Sequence, residues 1–144
     1  MTLIDGPDFQ RVSSNDAAVA LPRTHSYENL HVHVDWIRRA SCSLELALGR
    51  RVACAAYASQ AGDTSLGPHD DDWDGVIVQM EGAKQWHVWT DPHKGPKEIV
   101  TRLGDVLVLR RGVPHDVTTP GRSLHLAFAV TNQPRAVDPM LARM

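Results

Sequence analysis

The sequence contains a series of short apolar runs separated by glycine, proline and aspartate, and this spacing limits its fold more than any other feature. The runs span residues 52–58, 76–80, 84–89, 98–102, 106–109 and 124–131. Short strands at regular spacing, with turn residues between them, are typical of a β-sandwich or barrel. The pattern therefore predicts a mainly β domain.

One helix is predicted ahead of the strands, where apolar residues recur at helical spacing and Gly49 supplies a C-terminal cap. The apolar positions are Leu30, Val34, Ile37, Leu44 and Leu48. The alternation of histidine and valine at residues 31–34 leaves the first turn open between helix and strand. Residues 1–28 lack sustained periodicity and predict an irregular N-terminal arm, and residues 133–144 predict a C-terminal tail. The domain itself is expected at 29–132.

Composition fits one compact domain, because the chain has 144 residues and 42% hydrophobic content. A formal net charge of −2 and a pI near 6.4 argue against a nucleic-acid-binding surface, which normally needs a basic stripe. Charged residues interrupt the first twenty positions, so neither a signal peptide nor a spanning helix is expected, and we expect a cytosolic protein without a membrane partner. Cys42 and Cys54 are too few and too far apart for a cysteine-rich zinc site.

A metal site is predicted from two histidines and a carboxylate. His69 and Asp71 lie at i and i+2, which places both side chains on the same side of an extended chain. His115 opens the extended segment after the 105–109 strand and a turn. Such a set on one face of a metal leaves the opposite positions open, as in non-haem Fe(II) oxygenases, and a catalytic zinc accepts the same ligands. Asp74 is the alternative carboxylate if the segment is not extended.

Lys84 is unusual because it lies in an apolar strand. Lys84, Trp86 and Val88 share one face of the 84–89 strand, so the lysine has apolar neighbours if that face is inward. A buried lone ammonium destabilises the fold by several kcal/mol or more unless an anion pairs with it. The alternative is a lysine whose charge reaches solvent at a barrel rim.

These positions belong to a larger pattern of motifs. It consists of Tyr57, Pro68-His69-Asp70-Asp71, Val76-Ile77-Val78-Gln79, Gly82-Ala83-Lys84-Gln85-Trp86, Gly104-Asp105 through Gly112 to His115, and Ser123-Leu124-His125-Leu126. The pattern resembles the JmjC-type cupin oxygenases, and most closely their ribosomal-oxygenase branch of protein hydroxylases. The resemblance covers about half of the chain.

This resemblance implies a double-stranded β-helix, the cupin or jelly-roll barrel. It also implies Fe(II) held by His69, Asp71 and His115, with 2-oxoglutarate as co-substrate. In the family, the basic residue of the G-x-K/R-x-W motif pairs with the distal carboxylate of 2-oxoglutarate, and here that residue is Lys84. Arg122 is the alternative cation, because some 2-oxoglutarate enzymes take theirs from a late strand.

Three more residues are candidates for the co-substrate pocket. The resemblance favours a Tyr57 hydroxyl that points into the site, and it leaves Gln79 and Ser123 open between pocket and core roles. Two positions depart from the pattern: Ala55 stands where that branch often has asparagine, and Arg110 stands where proline is usual before the last ligand's turn.

The expected function is hydroxylation of an unactivated C–H bond, in an amino-acid residue of a peptide or protein or in a free amino acid. The alternatives are a metal-dependent cupin dioxygenase or isomerase that does not use 2-oxoglutarate, and a non-catalytic cupin that binds a small ligand. The related ribosomal oxygenases look larger, which leaves a ribosomal-protein substrate and a homodimer open. Acidic residues near the site, Asp70, Asp72 and Asp74, weakly favour a cationic substrate.

Overall fold

The computed structural model describes residues 23–136 in full and, for residues 2–5 and 8–11, the course of the backbone. Its strands are β1 (Thr2–Asp5), β2 (Asp8–Arg11), β3 (His25–Tyr27), β4 (Arg50–Ser59), β5 (Asp74–Glu81), β6 (Ala83–Val88), β7 (Lys97–Arg102), β8 (Val106–Leu109), β9 (His115–Thr118) and β10 (Ser123–Pro134). Its helices are α1 (Leu30–His33) and α2 (Asp35–Leu48).

The strands form two antiparallel sheets that pack face to face. The larger sheet has seven strands in the order β2-β1-β3-β4-β10-β5-β8, and the smaller has three in the order β7-β6-β9. Strands distant in sequence lie side by side, as where β10 pairs with both β4 and β5. This is a jelly-roll arrangement, which confirms the predicted fold class.

Each of the six predicted apolar runs forms a strand. In five of them alternate residues are the more buried, as expected for a strand with one face inward. In β10 residues 125–128 are buried in succession, because both faces of this strand are covered. Two apolar clusters result. The first packs the helices against the outer face of the large sheet and includes Ile37, Val52 and Phe128. The second fills the space between the sheets and includes Ile77, Trp86 and Leu109.

The single helix that was predicted is two helices. Val34 interrupts it with an extended backbone, φ −120° and ψ 114°, and its half-buried side chain packs against the first cluster. The valine amide still donates to the Leu30 carbonyl (2.8 Å), so α2 begins directly after the break. Gly49 has φ 67° and donates its amide to the Glu45 carbonyl (2.8 Å), which confirms the predicted cap.

The prediction of an irregular arm over residues 1–28 is wrong for three segments. β1 pairs with β2 and β3, and β3 pairs with β4 in the register His25↔Ala58. Strands of three or four residues are too short to show periodicity, and their backbone pairing stabilises them instead. Residues 12–22 and 137–144 lie outside the described residues. The prediction of an irregular arm over residues 12–22, and that of a tail over residues 137–144, therefore stay predictions.

The turn between β5 and β6 requires glycine. Gly82 has φ 63°, and a Cβ there would lie 1.9 Å from the Arg122 carbonyl oxygen at the start of β10. The hairpin and β10 therefore approach closely at this point, which brings Lys84 next to the end of the large sheet. Within the described part of the chain, no helix is long and apolar enough to cross a membrane.

Candidate metal centre and adjoining cavity

The fold brings the three predicted ligands together where the segment before β5, which carries His69 and Asp71, meets the start of β9 at His115. His69 and His115 form an antiparallel bridge, in which the His69 amide donates to the His115 carbonyl (2.9 Å) and the His115 amide donates back (2.8 Å). Asp71 Oδ2 lies 3.6 Å from His115 Nε2, and Asp71 Oδ1 lies 4.0 Å from His69 Nε2. One ligand atom from each residue lies within 4.8 Å of the other two, so all three can bind one ion.

Backbone carbonyls orient both imidazoles. His69 Nδ1 lies 2.7 Å from the Gly67 carbonyl and His115 Nδ1 lies 3.0 Å from the Val113 carbonyl. Because a carbonyl oxygen only accepts, each Nδ1–H donates and each Nε2 keeps its lone pair towards Asp71. This is the outer hydrogen bonding that usually supports metal-binding histidines.

Asp71 is held in place for the same role. Its carbonyl accepts a hydrogen bond from the Gly112 amide (2.9 Å), which ties the loop to the turn before His115. Burial raises the pKa of the Asp71 carboxyl, while His115 and His69 lower it. A divalent cation between the three groups would favour the ionised carboxylate. Two imidazole nitrogens and a carboxylate suit iron and zinc alike, so the donor set fits the predicted metal.

The alternative carboxylate is occupied elsewhere. Asp74 accepts hydrogen bonds from Arg50 Nη1 (2.7 Å) and from the Arg111 amide (2.9 Å), and both lower its pKa. Asp70 and Asp72 are exposed to solvent, as expected for residues that alternate with the ligands in an extended segment. Asp71 is therefore the carboxylate that faces the two histidines.

A cavity adjoins the three ligands and runs between the sheets. Its volume is about 630 Å³, a figure that includes space open to solvent at the mouth. One wall is apolar and includes Trp73, Ile77 and Leu109. Its polar lining outside the metal ligands includes Thr24, Tyr57, Lys84 and His125.

Lys84 is buried in this cavity, with 1% of its surface exposed. Its Nζ donates hydrogen bonds to Ser59 Oγ (2.7 Å) and Thr119 Oγ1 (2.7 Å), and no carboxylate among the described residues pairs with it. Burial lowers the pKa of Lys84 to about 8, with the charge of Asp63 acting in the opposite direction. The strand face that Lys84 shares with Trp86 and Val88 is inward, because all three residues are buried.

Tyr57 and His125 line the same cavity as Lys84 and the metal ligands. Their rings stack with centroids 5.0 Å apart, and His125 also meets Trp86 edge to face at 5.5 Å. Burial lowers the pKa of His125 to about 3, with the charge of Lys84 acting in the same direction, so the imidazole is neutral. Burial also raises the pKa of the Tyr57 phenol. Its ring lines the cavity, and its hydroxyl forms a hydrogen bond with Ser26.

Three other candidates lie outside the cavity lining. Gln79 Nε2 donates to the Glu81 (2.7 Å) and Leu124 (3.3 Å) carbonyls, and its Oε1 accepts from Thr101 (3.0 Å), so it belongs to a core network. Arg122 is exposed and pairs with Glu81 (2.9 Å). Ser123 is buried opposite Ser59, and its hydroxyl has no hydrogen-bond partner among the described residues.

Sequence reasoning missed the hydroxyls around Lys84. Ser59 could have been found, because it follows Tyr57 by two residues and so faces the same side of β4. Thr24 and Thr119 lie outside the strands, and long-range folding brings Thr24 to Ser59 and Thr119 to Lys84. No local sequence pattern marks them.

Comparison with known proteins finds similar sequences. The model of the JmjC domain family matches residues 27–98. Ribosomal oxygenase 2 of Mus musculus is 30% identical over 113 residues, which cover 66% of this chain and 24% of that protein. The bifunctional lysine-specific demethylase and histidyl-hydroxylase NO66 of Dictyostelium discoideum is 26% identical, and the aligned region covers 85% of this chain and 30% of that protein. The chain thus spans about a quarter to a third of these relatives.

Solved structures of low identity share the fold. One is the ribosomal oxygenase YcfD from Escherichia coli, in complex with cobalt and 2-oxoglutarate. The match covers 99% of this chain and 41% of the YcfD chain, with a TM-score of 0.69 and a sequence identity of 18%. The match to the SPY1581 protein of unknown function from Streptococcus pyogenes covers 94% of this chain and 98% of that protein. Its TM-score is 0.54 and the sequence identity is 14%. These similarities confirm the jelly-roll architecture.

Proposed function

Because the chain belongs to the JmjC domain family, we propose that it is an Fe(II)- and 2-oxoglutarate-dependent oxygenase that hydroxylates an unactivated C–H bond. One observation carries the proposal: three side chains that can bind a metal line the same cavity as a buried ammonium, which has no carboxylate partner among the described residues. A metal site alone would fit other cupins. The additional positive charge of Lys84 fits a co-substrate that binds the metal at one end and carries a carboxylate at the other.

The residues of the chain divide the binding between them. His69, His115 and Asp71 hold the metal through the atoms that already converge. Lys84 binds the distal carboxylate of 2-oxoglutarate, and that anion offsets the cost of burying the ammonium. Iron and co-substrate, when bound, supply the oxidising chemistry, in which 2-oxoglutarate is converted to succinate and carbon dioxide as oxygen enters the substrate.

The walls of the cavity keep water away from this chemistry. Trp73, Ile77 and Leu109 present apolar surface, and the stacked Tyr57 and neutral His125 line the cavity without adding charge. A dry cavity strengthens the attraction between Lys84 and a carboxylate.

The proposed substrate is an amino-acid side chain, presented in a peptide or protein or as a free amino acid. The relatives named as ribosomal oxygenases and histidyl-hydroxylases support this class. The exposed carboxylates of Asp70 and Asp72, on either side of the ligand Asp71, favour a substrate with positive charge.

Anaerobic titration tests the co-substrate. Addition of Fe(II) and 2-oxoglutarate to metal-free protein should produce the visible charge-transfer band of the chelate. Lys84→Met should weaken 2-oxoglutarate binding by roughly 10- to 100-fold, because it removes hydrogen bonds to a charged group. Asp71→Asn should weaken metal binding itself. Lys97→Met, which removes an exposed lysine from β7, is the matched control and should leave the titration unchanged.

The outcomes separate the alternatives. A folded protein that binds Fe(II) but shows no band with 2-oxoglutarate would contradict the proposal and favour a cupin that does not use this co-substrate. A band that Lys84→Met leaves unchanged would remove Lys84 from the site. Succinate release that rises with a basic peptide, and not with an acidic one, would support the substrate class.

A further inference from the structure

Hydroxyl groups, and not a carboxylate, hold Lys84 at the end of the cavity. Its Nζ lies 2.7 Å from both Ser59 Oγ and Thr119 Oγ1, and Ser59 Oγ lies 2.9 Å from Thr24 Oγ1. All four side chains are buried. They come from β4, β6 and the segments that flank β3 and β9, so the cluster joins both sheets to the N-terminal part of the described chain.

The directions of these hydrogen bonds follow from their chemistry. An ammonium has three donors and no acceptor, so both Ser59 and Thr119 accept from Lys84. The Ser59 proton is then free to bond to Thr24 Oγ1, the remaining oxygen within reach. Two of the three ammonium hydrogens are used, and the third has no acceptor among the described residues.

Neutral acceptors hold the ammonium without cancelling its charge. A carboxylate in the place of Ser59 or Thr119 would compete with any anion that enters the cavity. Around Lys84, His125 is neutral and Asp63 acts only as a more distant opposite charge. The arrangement therefore keeps one N–H and most of the positive charge available to a ligand.

We propose that Ser59 and Thr119, with Thr24 behind Ser59, are positioning residues that aim Lys84 at the distal carboxylate and so select 2-oxo acids that carry a second carboxylate. This inference rests on the proposed function and adds the residues that act through Lys84. It also makes the chain just before β3, through Thr24, part of co-substrate recognition.

The test compares two ligands that differ only at the distal end. 2-Oxoglutarate and 2-oxopentanoate share the metal-binding end, but the second has a methyl group where the first has its distal carboxylate. Their dissociation constants are measured by anaerobic titration of the Fe(II)-loaded protein. Ser59→Ala and Thr119→Val should each weaken 2-oxoglutarate roughly 3- to 10-fold, the effect of losing one hydrogen bond. The affinity for 2-oxopentanoate should change less than about twofold, because it does not reach Lys84.

Further variants exclude a general structural effect. Thr24→Val should weaken 2-oxoglutarate less than Ser59→Ala, because it acts through one more hydrogen bond. Ser59→Thr and Thr119→Ser keep the hydroxyl and should restore most of the affinity. Thr118→Val changes the exposed neighbour of Thr119 and should behave like the unaltered protein. In turnover, the KM for 2-oxoglutarate should rise while kcat stays nearly constant.

Two results would overturn the inference. One is equal weakening of both ligands, which would mean that the variants disturb the cavity as a whole. The other is unchanged 2-oxoglutarate binding in Ser59→Ala and Thr119→Val while Lys84→Met loses it, which would leave the proposed function intact without its positioning residues. Loss of the Fe(II) and 2-oxoglutarate band in the unaltered protein is a separate failure, that of the proposed function.

Discussion

Lys84 combines a binding role with a cost in stability. Its ammonium is buried without an anionic partner in the described part of the chain, and burial lowers its pKa from 10.5 to about 8. That pKa difference means that folding costs the charged lysine at most about 3 kcal/mol more than it would cost the neutral amine. Two hydroxyl acceptors satisfy two of its three hydrogens but do not supply an opposite charge. The protein without co-substrate is therefore less stable than its apolar packing alone would make it.

Replacing this lysine should stabilise the protein without ligand. Lys84→Met should raise the free energy of unfolding at pH 7 by roughly 1–2 kcal/mol, because the loss of hydrogen bonds to Ser59 and Thr119 offsets part of the gain. The lowered pKa means that the unfolded chain binds more protons between pH 8 and 10.5. The stability of the unaltered protein relative to the variant should thus increase with pH across that window.

Urea unfolding of both proteins from pH 7 to 10.5 measures this difference, with Lys97→Met as the exposed control. The advantage of Lys84→Met should shrink as the pH rises. An advantage that is absent at pH 7, or that does not change with pH, would contradict the account of a buried, unpaired charge.

Individual residues of the site differ in how far sequence could predict them. Lys84 was predictable, because alternation along one strand placed it with Trp86 and Val88. The same alternation could not separate Gln79, whose amide is used in core hydrogen bonds, from a residue that lines the cavity. Thr119 was not predictable, because its distance to Lys84 depends on how two segments far apart in sequence fold together.

At the level of elements, the β5–β6 hairpin sets the position of Lys84. Lys84 follows Gly82 by two residues, and the turn packs against the backbone of Arg122 at the start of β10. Local sequence predicted both strands, but the close approach to β10 involves a segment forty residues later and could not be read from the turn. The break at Val34 is similar, since packing against the first apolar cluster overrides helical periodicity.

Two glycines with similar backbone angles make a matched test of that contact. Gly82→Ala places a Cβ 1.9 Å from a carbonyl oxygen, whereas Gly49→Ala at the end of α2 meets nothing within 4 Å. Both substitutions carry the strain of a positive φ, about 1 kcal/mol. Gly82→Ala should reduce the free energy of unfolding by about 2 kcal/mol more than Gly49→Ala does, because backbone must move. It should also weaken 2-oxoglutarate binding.

Denaturant unfolding and the anaerobic titration measure these two effects. Equal losses of stability in the two variants would show that the hairpin and β10 tolerate separation. Unchanged co-substrate affinity in a destabilised Gly82→Ala protein would show that this contact does not position Lys84.

For the whole molecule, the candidate site draws on both sheets. The small sheet supplies Lys84 and His115, and the large sheet supplies Tyr57, Ser59 and His125. The sequence was sufficient to predict a jelly roll from strand spacing and family resemblance. It could not predict the pairing of β10 with β4 and β5, or the strands near the N-terminus, because these depend on long-range backbone pairing.

A site divided between two sheets predicts that ligands stabilise the fold as a unit. Ni(II) should occupy the three ligand residues and raise the melting temperature, since a ligand that binds only the folded state adds stability. 2-Oxoglutarate at about 100 times its dissociation constant should then add about 2.7 kcal/mol, or roughly 6–10 °C. At the same 2-oxoglutarate concentration, Lys84→Met should keep the stabilisation by the metal and lose about half or more of the stabilisation by 2-oxoglutarate, and Asp71→Asn should lose both.

Hydrogen exchange adds the spatial part of this prediction. Because the 2-oxoglutarate carboxylate would be held by Lys84 on β6, and Lys84 is held by Ser59 on β4, exchange should slow in both strands when 2-oxoglutarate joins the metal-bound protein. In Ser59→Ala the slowing in β4 should diminish while that in β6 persists. Slowing confined to β6 and β9 in the unaltered protein would mean that the small sheet binds the co-substrate alone, and that the two sheets are coupled only through their apolar packing.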